Sequence, residues 1–109
     1  MAGSTPVPTG AVDEALLRET AETFAMLASP IRVHLLHLLS DGEHDVSWLA
    51  DAVGGSVAMV SQHLAKLRLA GLVSSRRSGK RQLYSVDDPH IVVLVRQGLE
   101  HHDQLRRTD

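Results

Sequence analysis

Four residues near the C-terminus have the types and spacing of a divalent-metal site. Asp88 and His90 are two positions apart, and His101 and Gln104 are three positions apart. Carboxylate oxygen, imidazole nitrogen and amide oxygen all coordinate divalent transition metals. The 11 residues from His90 to His101 would span about 16 Å in a helix, so one chain cannot place both pairs on one ion.

The segment that carries these residues also predicts an apolar stripe. It reads as a helix over about residues 89–106, whose apolar residues are Ile91, Val92, Leu94, Val95, Leu99 and Leu105. If two copies pack antiparallel across a two-fold axis, the start of one helix meets the end of the other, and two equivalent sites form from both chains. The competing interpretation is that Asp88 is an ordinary N-cap and that the histidines are favourable charges at a helix end.

The composition favours a single helical domain. Only three of the 109 residues are aromatic, so the core must be built from Leu, Val, Ala and Met, which suits packed helices better than a β-sandwich. The chain has no cysteine, which excludes disulfides, thiolate chemistry and sulfur-based metal sites. No signal-peptide pattern or run of about 18 apolar residues occurs, so we expect a cytoplasmic protein.

Charge is distributed unevenly along the chain. The formal net charge is −2, but the 35 residues between Asp51 and Asp87 hold six basic residues and no acidic one. The remainder therefore carries a net charge of −8. A basic segment of this length in an otherwise acidic chain indicates a surface for a polyanion.

The hydrophobic pattern predicts how the whole chain is organised. Residues 1–12, which contain two Pro and two Gly, predict a flexible tail, and residues 13–109 predict one domain. Helices are predicted over residues 13–29, 30–39, 46–53, 56–70 and 89–106, and a β-hairpin over residues 72–86. Asp45 or Ser47 is expected to cap the third helix.

The fourth helix and the hairpin predict a DNA-reading unit. Val57, Val60, Leu64 and Leu67 form the expected inward stripe of the fourth helix, which leaves polar side chains on its other faces. Two short helices joined by a glycine-containing turn have the plan of a helix-turn-helix, and the basic hairpin RRSGKR adds a wing. A helix of this kind fits the major groove, while Arg and Lys of a wing reach phosphates or the narrow groove.

The runs VSQHLAKLRLAGLV and RRSGKRQLYSVDDPH resemble the ArsR/SmtB family of bacterial winged-helix repressors, many of which release DNA on binding metal. The resemblance covers about residues 14–104 and extends to LASPIRVHLLHLL and VSWLADAVG. It implies a mainly α (α+β) winged helix-turn-helix fold: a homodimer with five helices and a two-stranded β-wing in the order αααα-ββ-α. It also implies double-stranded operator DNA as the partner, with no membrane association.

Matched by position, the family resemblance assigns DNA contacts to two groups of residues. Those of the recognition helix are Ser56, Met59, Ser61, Gln62, His63 and Lys66. Those of the wing are Arg76, Arg77, Lys80 and Arg81. The wing contacts would supply salt-dependent affinity rather than sequence choice.

The resemblance also implies a metal site between the C-terminal helices, with Asp and His from one chain and two His, three residues apart, from the other. Asp88, His90 and His101 match this pattern, but Gln104 stands where the second His would be. An amide oxygen is a weak zinc ligand, whereas nickel or cobalt can complete six coordination with Gln104, water or a neighbouring side chain. The neighbouring candidates are Glu100, His102 and Asp103. The expected effector is therefore nickel, cobalt or zinc, and the amide oxygen of Gln104 favours nickel or cobalt over zinc.

Other functions remain open at this point. A family member could respond to a non-metal signal, or to none, and use the 88–104 cluster only for dimer packing. A dimeric adaptor could bind protein through the basic face. A metalloenzyme is disfavoured, because the chain has no His-Glu-x-x-His run, phosphate-cradling loop or nucleophile with a paired base. The family's Cys pair on the third helix is replaced by Asp45 and Ser47, which disfavours arsenic or antimony sensing.

Overall fold

The computed structural model describes residues 11–108. Its elements are α1 (Glu14–Met26), α2 (Pro30–Leu39), β1 (His44–Asp45), α3 (Val46–Val53), α4 (Val57–Leu69), β2 (Ser74–Ser78), β3 (Arg81–Ser85) and α5 (Pro89–Arg107). This order confirms the predicted winged helix-turn-helix fold and adds one short strand, β1. The tail prediction for residues 1–12 lies outside the described residues over positions 1–10.

Each helix begins at a side chain that accepts a hydrogen bond from the backbone of its own first turn. This contact satisfies an N–H group that has no partner within the helix. The five N-caps are Asp13, Ser29, Asp45, Ser56 and Asp88. Of the two candidates for the cap of α3, Asp45 is therefore the residue used, with its Oδ1 2.8 Å from the backbone nitrogen of Trp48.

The core lies between α2, α3, α4 and the start of α5. Its most completely buried side chains are Leu35, Leu36, Leu39, Leu49, Val60, Leu64 and Leu67. The predicted inward stripe of α4 is confirmed for Val60, Leu64 and Leu67. It is wrong for Val57, which is 48% exposed because it occupies the first turn of α4 at the edge of the core.

The wing is an antiparallel hairpin of β2 and β3. Ser78 pairs with Arg81, which leaves Gly79 and Lys80 as a two-residue turn. Gly79 has φ 64°, a left-handed backbone conformation that such tight hairpin turns require and that glycine adopts without steric penalty. The two-residue strand β1 pairs with the other edge of β3, which gives the sheet order β1-β3-β2.

Two helices present apolar side chains to the surface. α5 buries Ile91 and Val95 against the core, but its other apolar side chains are largely exposed. The exposed apolar residues of the two helices are Leu16, Leu17 and Phe24 on α1 and Val93, Leu94, Leu99 and Leu105 on α5. Large apolar side chains exposed together mark an interaction surface. Over residues 11–108, no helix combines the length and the apolar character needed to span a membrane.

Candidate nucleic-acid interface and metal centre

The polar residues of α4 divide into exposed groups and groups that are already engaged. Gln62 and Lys66 are exposed, and Ser61 is half-buried. The Ser56 hydroxyl accepts a hydrogen bond from the backbone N–H of Met59 at 3.0 Å. The Met59 side chain is half-buried against the core, and its terminal methyl group fills the space that a Cβ at position 55 would need. Among the α4 residues that the family resemblance assigns to DNA, Gln62 and Lys66 are therefore the best placed to contact it, because their side chains are exposed.

His63 is held by an arginine of α2. Arg32 donates from Nε to the carbonyl oxygen of Met26 at 2.7 Å, and its Nη1 lies 3.4 Å from Nδ1 of His63. A guanidinium can only donate, so Nδ1 accepts and the neutral ring carries its proton on Nε2. Burial, followed by the positive charges of Arg32 and Lys66, lowers the pKa of His63. The structure thereby joins the end of α1 to the recognition helix through Arg32.

Two of the four basic wing residues form ion pairs with carboxylates near β1. Arg76 makes a two-bond contact with Glu43, with nitrogen–oxygen distances of 2.7 and 2.8 Å. Arg81 Nε lies 2.8 Å from Oδ2 of Asp45. The hydrogen bond from Arg76 lowers the pKa of Glu43. The pKa of Asp45 is lowered first by its hydrogen bond from the backbone N–H of Trp48 and then by that from Arg81.

At the start of α5 the structure brings two of the predicted metal ligands together. Oδ1 of Asp88 accepts from the backbone N–H of His90 at 2.9 Å and lies 3.0 Å from Nδ1 of the same residue. These backbone and side-chain hydrogen bonds lower the pKa of Asp88. Both side chains are accessible, with exposed fractions of 50% for Asp88 and 81% for His90.

The other two predicted ligands lie on the exposed last turns of α5. His101 and Gln104 are both exposed, and the ring of His101 contacts that of His102 edge to face, with centroids 5.0 Å apart. Because 11 residues make about three helical turns, His90 and His101 share one side of α5 at a separation of about 16 Å. Within residues 11–108 of a single chain, no three His, Cys, Asp or Glu side chains are grouped to hold a metal ion.

Asp87 is a connecting residue that sequence reasoning missed. Its Oδ2 accepts from the hydroxyl of Ser74 on β2 at 2.8 Å, and its Oδ1 accepts from the hydroxyl of Ser85 on β3 at 3.3 Å. The two hydroxyl oxygens are 3.1 Å apart. Asp87 therefore ties both wing strands to the start of α5, where the next residue, Asp88, is the N-cap. The Asp-Asp-Pro run at the helix start was a visible signal, but the serine partners depend on the strand register.

Comparison with known sequences identifies the family. A family model described as "Bacterial regulatory protein, arsR family" matches residues 29–75. The HTH-type transcriptional regulator NmtR of Mycobacterium tuberculosis is 34% identical over 98 residues, which cover 90% of this chain and 82% of that protein. KmtR of the same organism is 47% identical over 74 residues, covering 68% of this chain and 57% of KmtR. A probable mercury resistance operon repressor of Streptomyces lividans is 42% identical over 76 residues, covering 70% of this chain and 61% of that protein. The chain thus spans less than two thirds of the length of the last two relatives.

A solved structure gives the same result for the fold. The homodimeric winged helix-turn-helix DNA-binding domain of Mb0332 from Mycobacterium bovis, a possible ArsR-family transcriptional regulator, superposes with a TM-score of 0.78 at 30% identity. The match covers 100% of this chain and 96% of that domain. The chain therefore belongs to the ArsR family of bacterial regulatory proteins and is a winged helix-turn-helix DNA-binding regulator of that family, not an enzyme.

Proposed function

We propose that this chain acts as a homodimeric repressor of transcription that binds double-stranded operator DNA with α4 and the wing. We further propose that a divalent transition metal bound between the two α5 helices controls its affinity for that DNA. The observation that carries the metal proposal is the layout of α5. Asp88 and His90 lie together at one end, His101 and Gln104 lie at the other, and exposed apolar side chains lie between.

The exposed apolar side chains of α5 support a second copy of this chain as the partner. One apolar groove beside α5 is lined by Pro89, His90, Val93 and Leu94, and another by Leu27, Val33, Leu94, Val95, Gly98, Leu99 and His102. Burying a leucine-sized side chain contributes about 1.5–3 kcal/mol, so covering several of them drives association. Similarity over the whole chain to a homodimeric domain favours self-association over a different partner.

The donor set fits a first-row divalent metal. Asp88 and His90 offer carboxylate oxygen and imidazole nitrogen at mutually compatible positions, and both are open to solvent. His101 and Gln104 of the partner subunit would complete the set. Because Gln104 offers an amide oxygen, six-coordinate nickel or cobalt suits the site better than tetrahedral zinc. The similarity to a probable mercury resistance operon repressor also supports a metal response.

A bound metal would hold the two subunits in one arrangement, and Asp87 provides a route from that junction to DNA. Asp88 is a candidate ligand, and the adjacent Asp87 binds the hydroxyls of Ser74 and Ser85 on both wing strands. A shift of the α5 start would therefore move the wing. The expected consequence is a metal-dependent change in DNA affinity of about 5–150-fold, the usual range for coupled sites.

The test combines metal binding with DNA binding. Equilibrium dialysis of the full chain against nickel, cobalt and zinc gives the stoichiometry, and fluorescence anisotropy with DNA from upstream of its own gene gives the affinity with and without each ion. We expect one ion per subunit and a change in affinity that His101→Ala abolishes. His34→Ala, which removes an exposed histidine of α2, is the matched control and should behave as wild type.

The outcomes separate the competing functions. DNA binding without metal binding, or with metal binding that leaves affinity unchanged, would replace this proposal with an ArsR-type regulator that answers a non-metal signal or none. Failure to bind any duplex would remove the DNA-binding half as well and favour an adaptor role.

A further inference from the structure

We propose that the two faces of the wing have different roles. Arg77 and Lys80 bind DNA phosphates, whereas Arg76 and Arg81 are positioning residues that fix the wing to the rest of the fold. This division rests on the proposed DNA binding and refines it, because the sequence alone treats the four cations as equivalent.

The strand register assigns the wing arginines to opposite faces. Side chains alternate along a strand, and directly paired residues of neighbouring strands lie on the same face. Arg76 pairs with Leu83, which is 8% exposed, so these two side chains share one face of the sheet. Arg77 pairs with Gln82 and lies on the other face.

The face that carries Arg76 and Arg81 is occupied by ion pairs within the chain. Arg76 binds Glu43 through two parallel nitrogen–oxygen contacts, the strongest geometry available to an arginine–carboxylate pair. Asp45 joins two elements, because its Oδ2 binds Arg81 of β3 while its Oδ1 caps α3. These contacts fix the wing relative to the first helix of the helix-turn-helix.

The opposite face borders the recognition helix. Tyr84, two residues along β3 from Gln82 and on the same face, lines a cleft with Ala65, Arg68 and Leu69 of the C-terminal half of α4. Arg77 shares this face, and Lys80 lies at the tip of the turn. Among the described residues, neither Arg77 nor Lys80 takes part in an ion pair.

The difference in partners decides which cations a phosphate can use. A phosphate reaching Arg77 or Lys80 breaks no existing ion pair. A phosphate reaching Arg76 would lie beside the Glu43 carboxylate, where like charges repel. Counterion release on DNA binding should therefore come from Arg77 and Lys80. Arg76 and Arg81 should contribute none.

The experiment measures how affinity for a short mixed-sequence duplex depends on salt, by fluorescence anisotropy, for variants of the full chain that each lose one positive charge. Arg77→Gln and Lys80→Gln should each weaken binding and flatten the slope of log K against log salt by about 0.9 per subunit. Arg76→Gln and Arg81→Gln should keep the wild-type slope. Arg77→Lys, which retains the charge, should restore it.

A double variant separates charge from folding. Glu43→Gln with Arg76→Gln removes the ion pair without changing the net charge, and we expect the wild-type slope together with a lower thermal unfolding temperature. Equal slope losses for Arg76→Gln and Arg77→Gln would overturn the division, as would a flattened slope in the double variant. If the wild-type protein bound no duplex at all, the proposed function would fall together with this division. If the wild type binds duplex DNA and Arg76→Gln and Arg77→Gln lose equal amounts of slope, only the division of the wing is overturned and the proposed DNA binding stands.

Discussion

The DNA-reading end of the molecule, formed by α3, α4 and the wing, is held together by contacts within the chain, whereas the α1 and α5 end leaves most of its residues exposed. Around α3, α4 and the wing, the helices bury Leu49, Val60, Leu64 and Leu67 in the core, and two of the wing arginines are paired with carboxylates. On α1, by contrast, every residue is at least partly exposed, although all of the helix is described, and α5 buries only two of its residues. One region is therefore specified by contacts within the subunit, whereas the other leaves exposed the apolar side chains that the proposed dimer would cover.

The largest effect should come from the exposed apolar surface of α5, which the proposed dimer would cover. Leu94→Asp places a carboxylate in the exposed apolar stripe of α5, where burial in a dimer would leave it without a partner. We expect a monomer in sedimentation and a loss of DNA affinity of more than about 100-fold, because a dimer engages two half-sites at once. Arg96→Asp puts the same side chain on an exposed charged position of the helix and should stay dimeric. A dimeric Leu94→Asp protein would contradict the assignment of this surface.

The next largest effect is expected at the contact between the start of α5 and the wing, and it tests whether metal binding at α5 changes DNA binding. Asp87→Asn weakens the contacts from α5 to Ser74 and Ser85 without touching a proposed ligand. Metal binding measured by dialysis should stay as in the wild type, while the metal-dependent change in DNA affinity should shrink several-fold. Asp41→Asn, an exposed carboxylate outside this network, is the control. An unchanged metal response in Asp87→Asn would show that the signal takes another route.

A smaller effect is expected where α1 meets the recognition helix. Arg32→Gln removes the contacts to Met26 and His63, and bonds involving a charged group contribute about 1.5–3 kcal/mol. The free energy of unfolding in urea should fall by about 2 kcal/mol, and the pKa of His63, followed by NMR, should rise because one nearby positive charge is lost. Arg18→Gln, whose exposed partner Glu14 lies 3.7 Å away, should change stability little. A His63 pKa unchanged in Arg32→Gln would argue against the contact.

The smallest effect concerns the acid stability of the DNA-reading end. The pKa of Asp45 is lowered in the folded state, so this carboxylate stabilises the fold above its ordinary pKa of 3.8, and the contribution is lost as the pH falls through the lowered value. Asp45→Asn keeps a capping oxygen but no charge. Urea unfolding should therefore find the variant less stable than the wild type at neutral pH and equal to it in strong acid. A stability difference that does not depend on pH would contradict this cause.

Local features of the fold were predictable from the sequence. Helix starts depend on one side chain and the next few backbone groups, so residue type and position restricted the cap of α3 to Asp45 or Ser47, and the structure uses Asp45. The inward positions of α4 follow from helical spacing, and only the first-turn residue Val57 departs from it. The turn at Gly79 follows from the tight connection between two strands.

Contacts between distant segments were not predictable. Glu43 and Arg76 are 33 positions apart, and only the strand register brings them together. The strand β1 has two residues, too few to show a periodic pattern. For the candidate metal site, the sequence supplies the residue types and the structure places Asp88 beside His90. The junction with His101 and Gln104 needs a second chain and stays a prediction.

The most direct test of the central claim uses mixed dimers. One chain carries Asp88→Ala with His90→Ala, the other carries His101→Ala, and the heterodimer is purified through different affinity tags. If the site is shared between subunits, each parent homodimer binds no ion tightly, the wild-type dimer binds two, and the heterodimer regains one intact site and binds one. A heterodimer that binds no ion, while the wild type binds two, would contradict a site built from both α5 helices.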